Sequence, residues 1–71
     1  MDRTPVTSTA LTSAGYDDEA HVLEVEFVHG GVYRYLGVPR DVYDGLLAAE
    51  SRGAYFDEHV KKPGFVFERV S

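Results

Sequence analysis

The sequence predicts an α+β fold, a small antiparallel β-sheet in the order βββααβ with two helices packed on one face. Three observations carry this expectation. Leu23-Glu24-Val25-Glu26-Phe27 alternates apolar and acidic residues, with the period of two of a half-buried strand. Val42, Tyr43, Leu46, Leu47 and Ala49 recur at the i, i+3, i+4 spacing of a helix with one buried face. Between them Val38-Pro39 marks the change, because proline forces its predecessor into an extended conformation and itself suits the first helical position.

Residues 1–6 read as a flexible leader, and residues 7–71 as a single domain. From Thr7 to Tyr16, small, β-branched and apolar residues mix without helical spacing, which predicts a first strand. Asp17-Asp18-Glu19-Ala20 is a polar turn, and His21 to Val28 is the second strand. His29-Gly30-Gly31 closes a hairpin onto the aromatic strand Val32-Tyr33-Arg34-Tyr35-Leu36, with glycine supplying positive φ. A three-residue loop sets Phe27 opposite Tyr33, Val25 opposite Tyr35 and Glu26 opposite Arg34. A two-residue loop sets Phe27 beside Val32. The first is favoured, since it pairs aromatic with apolar and acid with base.

After Pro39, Asp41 and Asp44 fall in the first helical turns, where the helix dipole favours acids. Gly45 within this helix implies either close approach to a neighbouring strand or mere tolerance. Ser51 is the expected N-cap of a short second helix through Tyr55, Phe56 and Val60. Lys61 and Lys62 lie at its C-terminal end, and Pro63-Gly64 stop it. Phe65 to Val70 returns to alternation as a last strand, placed either on the sheet edge or against the first strand.

A chain of 71 residues has room for one core, and without cysteine neither a disulfide nor a thiolate site holds it. There is no apolar run of the ~20 residues that span a bilayer and no signal-peptide pattern near Met1. The expected location is cytoplasmic, with no membrane partner. The net charge of −5 opposes long-range attraction to nucleic acid. Its distribution is uneven. Asp17, Asp18, Glu19, Glu24 and Glu26 form an acidic end, whereas Arg52, Lys61, Lys62 and Arg69 outnumber the acids around them.

The run Leu23-x-Val25-x-Phe27-x-x-Gly30-x-x-Tyr33-x-Tyr35-x-x-Val38-Pro39 resembles the KTSC domain, a family named for its occurrence at the C-terminus of some lysyl-tRNA synthetases. Ser8, Leu11 and Gly15-Tyr16-Asp17 resemble the family's opening strand. Val42-Tyr43, Leu46-Leu47, Ala49, Ser51, Gly53, Tyr55-Phe56 and Val60 resemble its helical half. The resemblance spans about Ser8 to Val60. It implies a small bacterial or phage domain of unassigned function, for which RNA binding is suggested by the synthetase context and the two tyrosines.

Three groups of residues are candidates for contact with a ligand. Tyr33 and Tyr35 either stack on unpaired bases, with Arg34 adding a phosphate contact, or pack under the helix, as the favoured register implies. Ser51, Arg52 and Gly53 form either an anion site or an ordinary cap and turn. Lys61, Lys62 and Tyr55 complete the nucleic-acid or ligand set. The spacing of His21, His29 and His59 matches no metal motif. Ser51, His59 and Asp57 cannot form a nucleophilic triad, because positions i and i+2 of a helix lie on different faces. No catalytic, cofactor or metal site is expected. The expected function is that of a non-enzymatic binding module, with RNA as the specific ligand. The alternative is protein interaction or self-association, as a homodimer, through a sheet edge or an aromatic patch.

Overall fold

The computed structural model describes residues Met1 to Ser71. Strands β1 (Thr4–Pro5), β2 (Leu11–Asp17), β3 (Val22–Phe27) and β4 (Val32–Leu36) precede helices α1 (Arg40–Ala48) and α2 (Arg52–Phe56). A π-helical turn, Asp57–Lys61, extends α2, and β5 (Phe67–Arg69) ends the chain. All strand pairs are antiparallel, in the spatial order β1-β2-β3-β4-β5. The last strand therefore lies on the sheet edge beside β4 and away from the first strand.

Alternation decides which residues meet the helices. Leu23 and Val25 of β3 and Tyr35 of β4 join Tyr43 and Leu46 of α1, Phe56 of α2, and Val60 in one buried core. Leu11 and Ala14 belong to the same core although they are an odd number of residues apart. A register shift between Leu11 and Ser13 explains this, since one extra residue in a strand reverses its faces.

The opposite face is covered by the N-terminus. In place of the flexible leader expected for residues 1–6, Thr4 and Pro5 pair with Ala14 and Ser13. Arg3 donates to Ser13 Oγ at 2.9 Å and to Glu24 Oε2 at 2.6 Å. Glu24, which alternation places away from the helices, is only 3% exposed. A buried carboxylate needs cations, and Arg3 and Arg34 supply them. Gly15 makes room for this segment, because a Cβ there would run into the backbone oxygen of Asp2. Gly15→Ala should therefore displace residues 1–5 and cost about 1–3 kcal/mol, as overpacking does. Hydrogen exchange at the Val6 amide, bonded to Thr12 O at 3.1 Å, would report the displacement directly.

The β3–β4 register differs from the favoured one by two residues. Val25 faces Tyr33, Leu23 faces Tyr35, and Glu24 faces Arg34. Phe27 and Gly31 close a Val28-His29-Gly30 loop through the Phe27 N–H to Gly31 O bond of 3.0 Å. A slip of two keeps every side chain on its face, so both tyrosines remain on the helix side. The loop begins one residue earlier because Gly30 and Gly31, at φ +108° and +96°, supply its left-handed positions.

Pro39 is the N-cap of α1, one position earlier than expected, and Arg40 is the first helical residue. Tyr16 fixes the entry to the helix: its hydroxyl donates to Val38 O at 2.5 Å and its ring stacks on Tyr43 at 5.4 Å. Gly45 does mark a close approach, but to a helix and not to a strand. A Cβ there would collide with the Tyr55 hydroxyl.

Candidate functional site

The helical layer does not cover the whole sheet. Tyr35 is 4% exposed and meets Phe56 edge-on at 5.3 Å between ring centres. One strand further out, Phe67 of β5 has no helix above it and is 57% exposed. Its ring lies 5.2 Å from Tyr35 and 6.0 Å from Tyr33. Tyr33 is half-buried and meets Phe27 edge-on at 5.5 Å, and Phe27 stacks on His29 at 5.6 Å. These rings and Lys61 line an open cleft of about 230 Å³. Tyr35, Lys61 and Phe67 also line a neighbouring depression of about 420 Å³ bounded by Val60, Gly64 and Phe65.

One cation, Lys61, lines the cleft, and a second lies against the ring of Tyr33. The guanidinium of Arg69 lies 5.8 Å from the centre of the Tyr33 ring, within cation–π range. Lys61 ends the π-helical turn, whose wider winding is shown by the bond from the Lys62 N–H to Asp57 O at 2.9 Å. Burial, with neighbouring Tyr33 adding to it, raises the Tyr35 hydroxyl above its ordinary value of 10.0. The Tyr35 hydroxyl therefore stays protonated beside the cations.

The other cations are engaged elsewhere. Arg3 and Arg34 hold Glu24, and Arg40 holds Asp18 and Asp44. Arg52 donates to the carbonyls of Thr7 and Leu47, each at 2.9 Å. Lys62 meets Glu58 at 3.2 Å. Arg69 has no side-chain carboxylate partner and donates to the backbone oxygen of Ser71 at 3.1 Å, and Lys61 reaches Asp57 only at 3.9 Å.

Of the residues singled out in the sequence, Tyr33, Tyr35 and Lys61 come together in this cleft. Arg34 does not join them, since alternation turns it to the face of Glu24. Ser51 caps α2, its Oγ accepting from the Ala54 N–H at 3.3 Å, and Gly53 packs close to Ala10. With Arg52 tied to two carbonyls, this group serves as the cap and interhelix turn. Tyr55 packs against Gly45 and stacks on His59 at 4.1 Å, and Lys62 lies with Glu58, so neither reaches the cleft. Phe27, His29, Phe67 and Arg69 were not among the candidates. The signal for Phe67 and Arg69 was a second alternating pair, which repeats the spacing of Tyr33-x-Tyr35 on the strand that pairs with it. No group of three or more His, Cys, Asp or Glu side chains is arranged to hold a metal ion. No helix is long and apolar enough to cross a membrane.

A five-stranded antiparallel sheet, two short helices and an uncovered aromatic edge define a small α+β domain. The chain belongs to the KTSC domain family, whose sequence model matches residues 7–65. It is 41% identical over 70 residues to an uncharacterized protein of Stutzerimonas stutzeri, covering 99% of both chains. It is also 38% identical over 63 residues to a lysine–tRNA ligase of Nostoc punctiforme, covering 89% of this chain but 11% of the ligase. The crystal structure of a KTSC domain protein from Yersinia pestis matches it with a TM-score of 0.90 at 37% identity, covering 99% of this chain and 97% of that one.

Proposed function

We propose that this domain is a non-enzymatic module that binds single-stranded RNA in the aromatic cleft. The observation that carries this reading is the exposed Phe67 face beside Tyr33, set near the two cations least engaged by side-chain carboxylates, Lys61 and Arg69. An exposed ring next to a cation suits a base next to its phosphate, and each stack contributes about 1–3 kcal/mol. The acids of the β2–β3 turn, Asp17, Asp18 and Glu19, line a different depression, which neither Tyr33 nor Phe67 borders. The net charge of −5 therefore weakens long-range attraction without occupying the cleft. The occurrence of a similar segment in lysine–tRNA ligases supports RNA as the polymer.

The test is a residue-resolved NMR titration with mixed-sequence single-stranded RNA at two salt concentrations. Shifts should appear at Tyr33, Lys61, Phe67 and Arg69 and not at Arg34 or Arg52. With two phosphate contacts, log affinity should fall against log salt with a slope of about −1.4. Phe67→Ala should weaken binding roughly 5- to 150-fold. An absence of shifts at low salt would end the proposal.

A further inference from the structure

We infer that β5 is a self-association edge, through which two copies of this chain join their sheets by antiparallel pairing about a two-fold axis at Glu68. The two edges of the sheet are unlike. The outer edge of β1 is two residues long, and one of them is Pro5, which has no N–H to offer. The outer edge of β5 is open, and every residue from Val66 to Ser71 is exposed. Leu36 N–H donates to Val66 O and Val70 N–H to Val32 O, both at 2.8 Å, so Val66 and Val70 bond inward to β4, and beyond them an irregular pair adds a bond from Val32 N–H to Ser71 O at 3.0 Å. By alternation the N–H and C=O of Phe67 and Arg69 point outward, unpaired.

Side chains choose the register and the occupant. Pairing centred on Glu68 sets Phe67 against the partner's Arg69, and Arg69 against the partner's Phe67. On the other face it sets Val66 against the partner's Val70, twice by symmetry. Val66, Phe67 and Val70 are 69%, 57% and 40% exposed, and this one register gives each of the three a cross-strand neighbour at its side. A register centred on Phe67 would put Val66 against the partner's Glu68, and one centred on Arg69 would put Arg69 against the partner's Arg69. The chosen register has one cost, Glu68 opposite the partner's Glu68. Each of these carboxylates has Arg34 of its own chain as its neighbour on β4. The strand is thus complementary to itself, which is what an isologous interface requires. The axis is perpendicular to the sheet, so both helical layers and both aromatic clefts lie on the same side. The partner's Arg69 then completes the rim of each cleft over Phe67. The inference rests on the strand edge and does not depend on what the cleft binds.

Five residues per chain make an interface below the usual size for a stable complex, so the dimer should be reversible and concentration-dependent. Sedimentation of the wild-type chain over a concentration series should show monomer and dimer in exchange. The amides of Phe67 and Arg69 should gain hydrogen-exchange protection as the dimer forms. Val66→Lys should weaken association about tenfold, since it disturbs two symmetric pairs. Val66→Lys combined with Val70→Glu should restore it, because each lysine then faces the partner's glutamate. Glu68→Gln should tighten it severalfold. These positions are exposed in the monomer, so each variant should fold, and circular dichroism would check that. A wild-type chain that stays monomeric at the highest concentration overturns the inference. So does a dimer indifferent to both Val66→Lys and the double variant.

Discussion

Replacement of Tyr35 by alanine is expected to lower the stability of this domain by about 3 kcal/mol or more, the usual cost of deleting a buried aromatic ring. Tyr35 is 4% exposed and touches the rings of both Phe56 and Phe67, so its loss opens a cavity between the sheet and α2. For 71 residues, total stability is on the order of 4–10 kcal/mol, so this one substitution takes a large part of it. The companion substitution Phe67→Ala removes a ring of which more than half faces solvent, and should change stability by only about 0.5 kcal/mol. Thermal or urea denaturation of the two variants side by side checks the distinction between a core ring and a cleft ring. A Tyr35→Ala protein as stable as Phe67→Ala would refute the division.

The second large effect concerns Glu24. Arg3→Ala leaves this buried carboxylate with Arg34 as its one cation and should cost about 2 kcal/mol. Adding Arg34→Ala should cost more than the sum of the two single changes, because only the double variant strands the charge. Glu24→Gln in the double-variant background should recover part of the loss, which a purely steric role of the arginines does not predict.

The pH dependence has opposite signs in the two proteins. In the wild type, burial by itself would raise the Glu24 pKa, but hydrogen bonds from Arg34 and Arg3, together with their charge, outweigh it and hold the pKa below its ordinary 4.5. A depressed folded-state pKa adds stability that is present above pH 4.5 and is lost as pH falls through the folded value. In the double variant only the burial remains and the pKa is raised, so acidification should narrow its deficit. Urea melts at several pH values for both proteins, with Glu24→Gln as the reference, would show these opposite slopes.

Much of the fold was legible because its rules are local. The alternation of Leu23 to Phe27, the Val38-Pro39 step, the Ser51 cap and the Pro63-Gly64 stop each act within a few residues. The hairpin register was misjudged by two residues because either choice keeps the apolar residues on one side, and only the glycine conformations in the loop separate them. The leader was misjudged because nothing in Met1-Asp2-Arg3-Thr4-Pro5 marks it as a strand. It pairs with Ser13 and Ala14, and Arg3 reaches Glu24, 21 residues away.

The candidate site divides in the same way. That Tyr33 and Tyr35 share a face, and that Arg34 lies on the other, follows from the period of a strand and was determined by the sequence itself. Which of the two tyrosines is buried in the core and which stays half-buried where both meet the cleft was decided only by the tertiary structure. The physical reason is the extent of the helical layer. Phe56 packs on Tyr35, whereas the space beyond it is filled by Phe67, from a strand that returns to β4 after both helices. The same return brings Arg69 over Tyr33, while Arg52 is drawn away to the Thr7 and Leu47 carbonyls. Strand period is a property of neighbouring residues, but the neutralisation of a charge depends on which distant group the folded chain brings beside it.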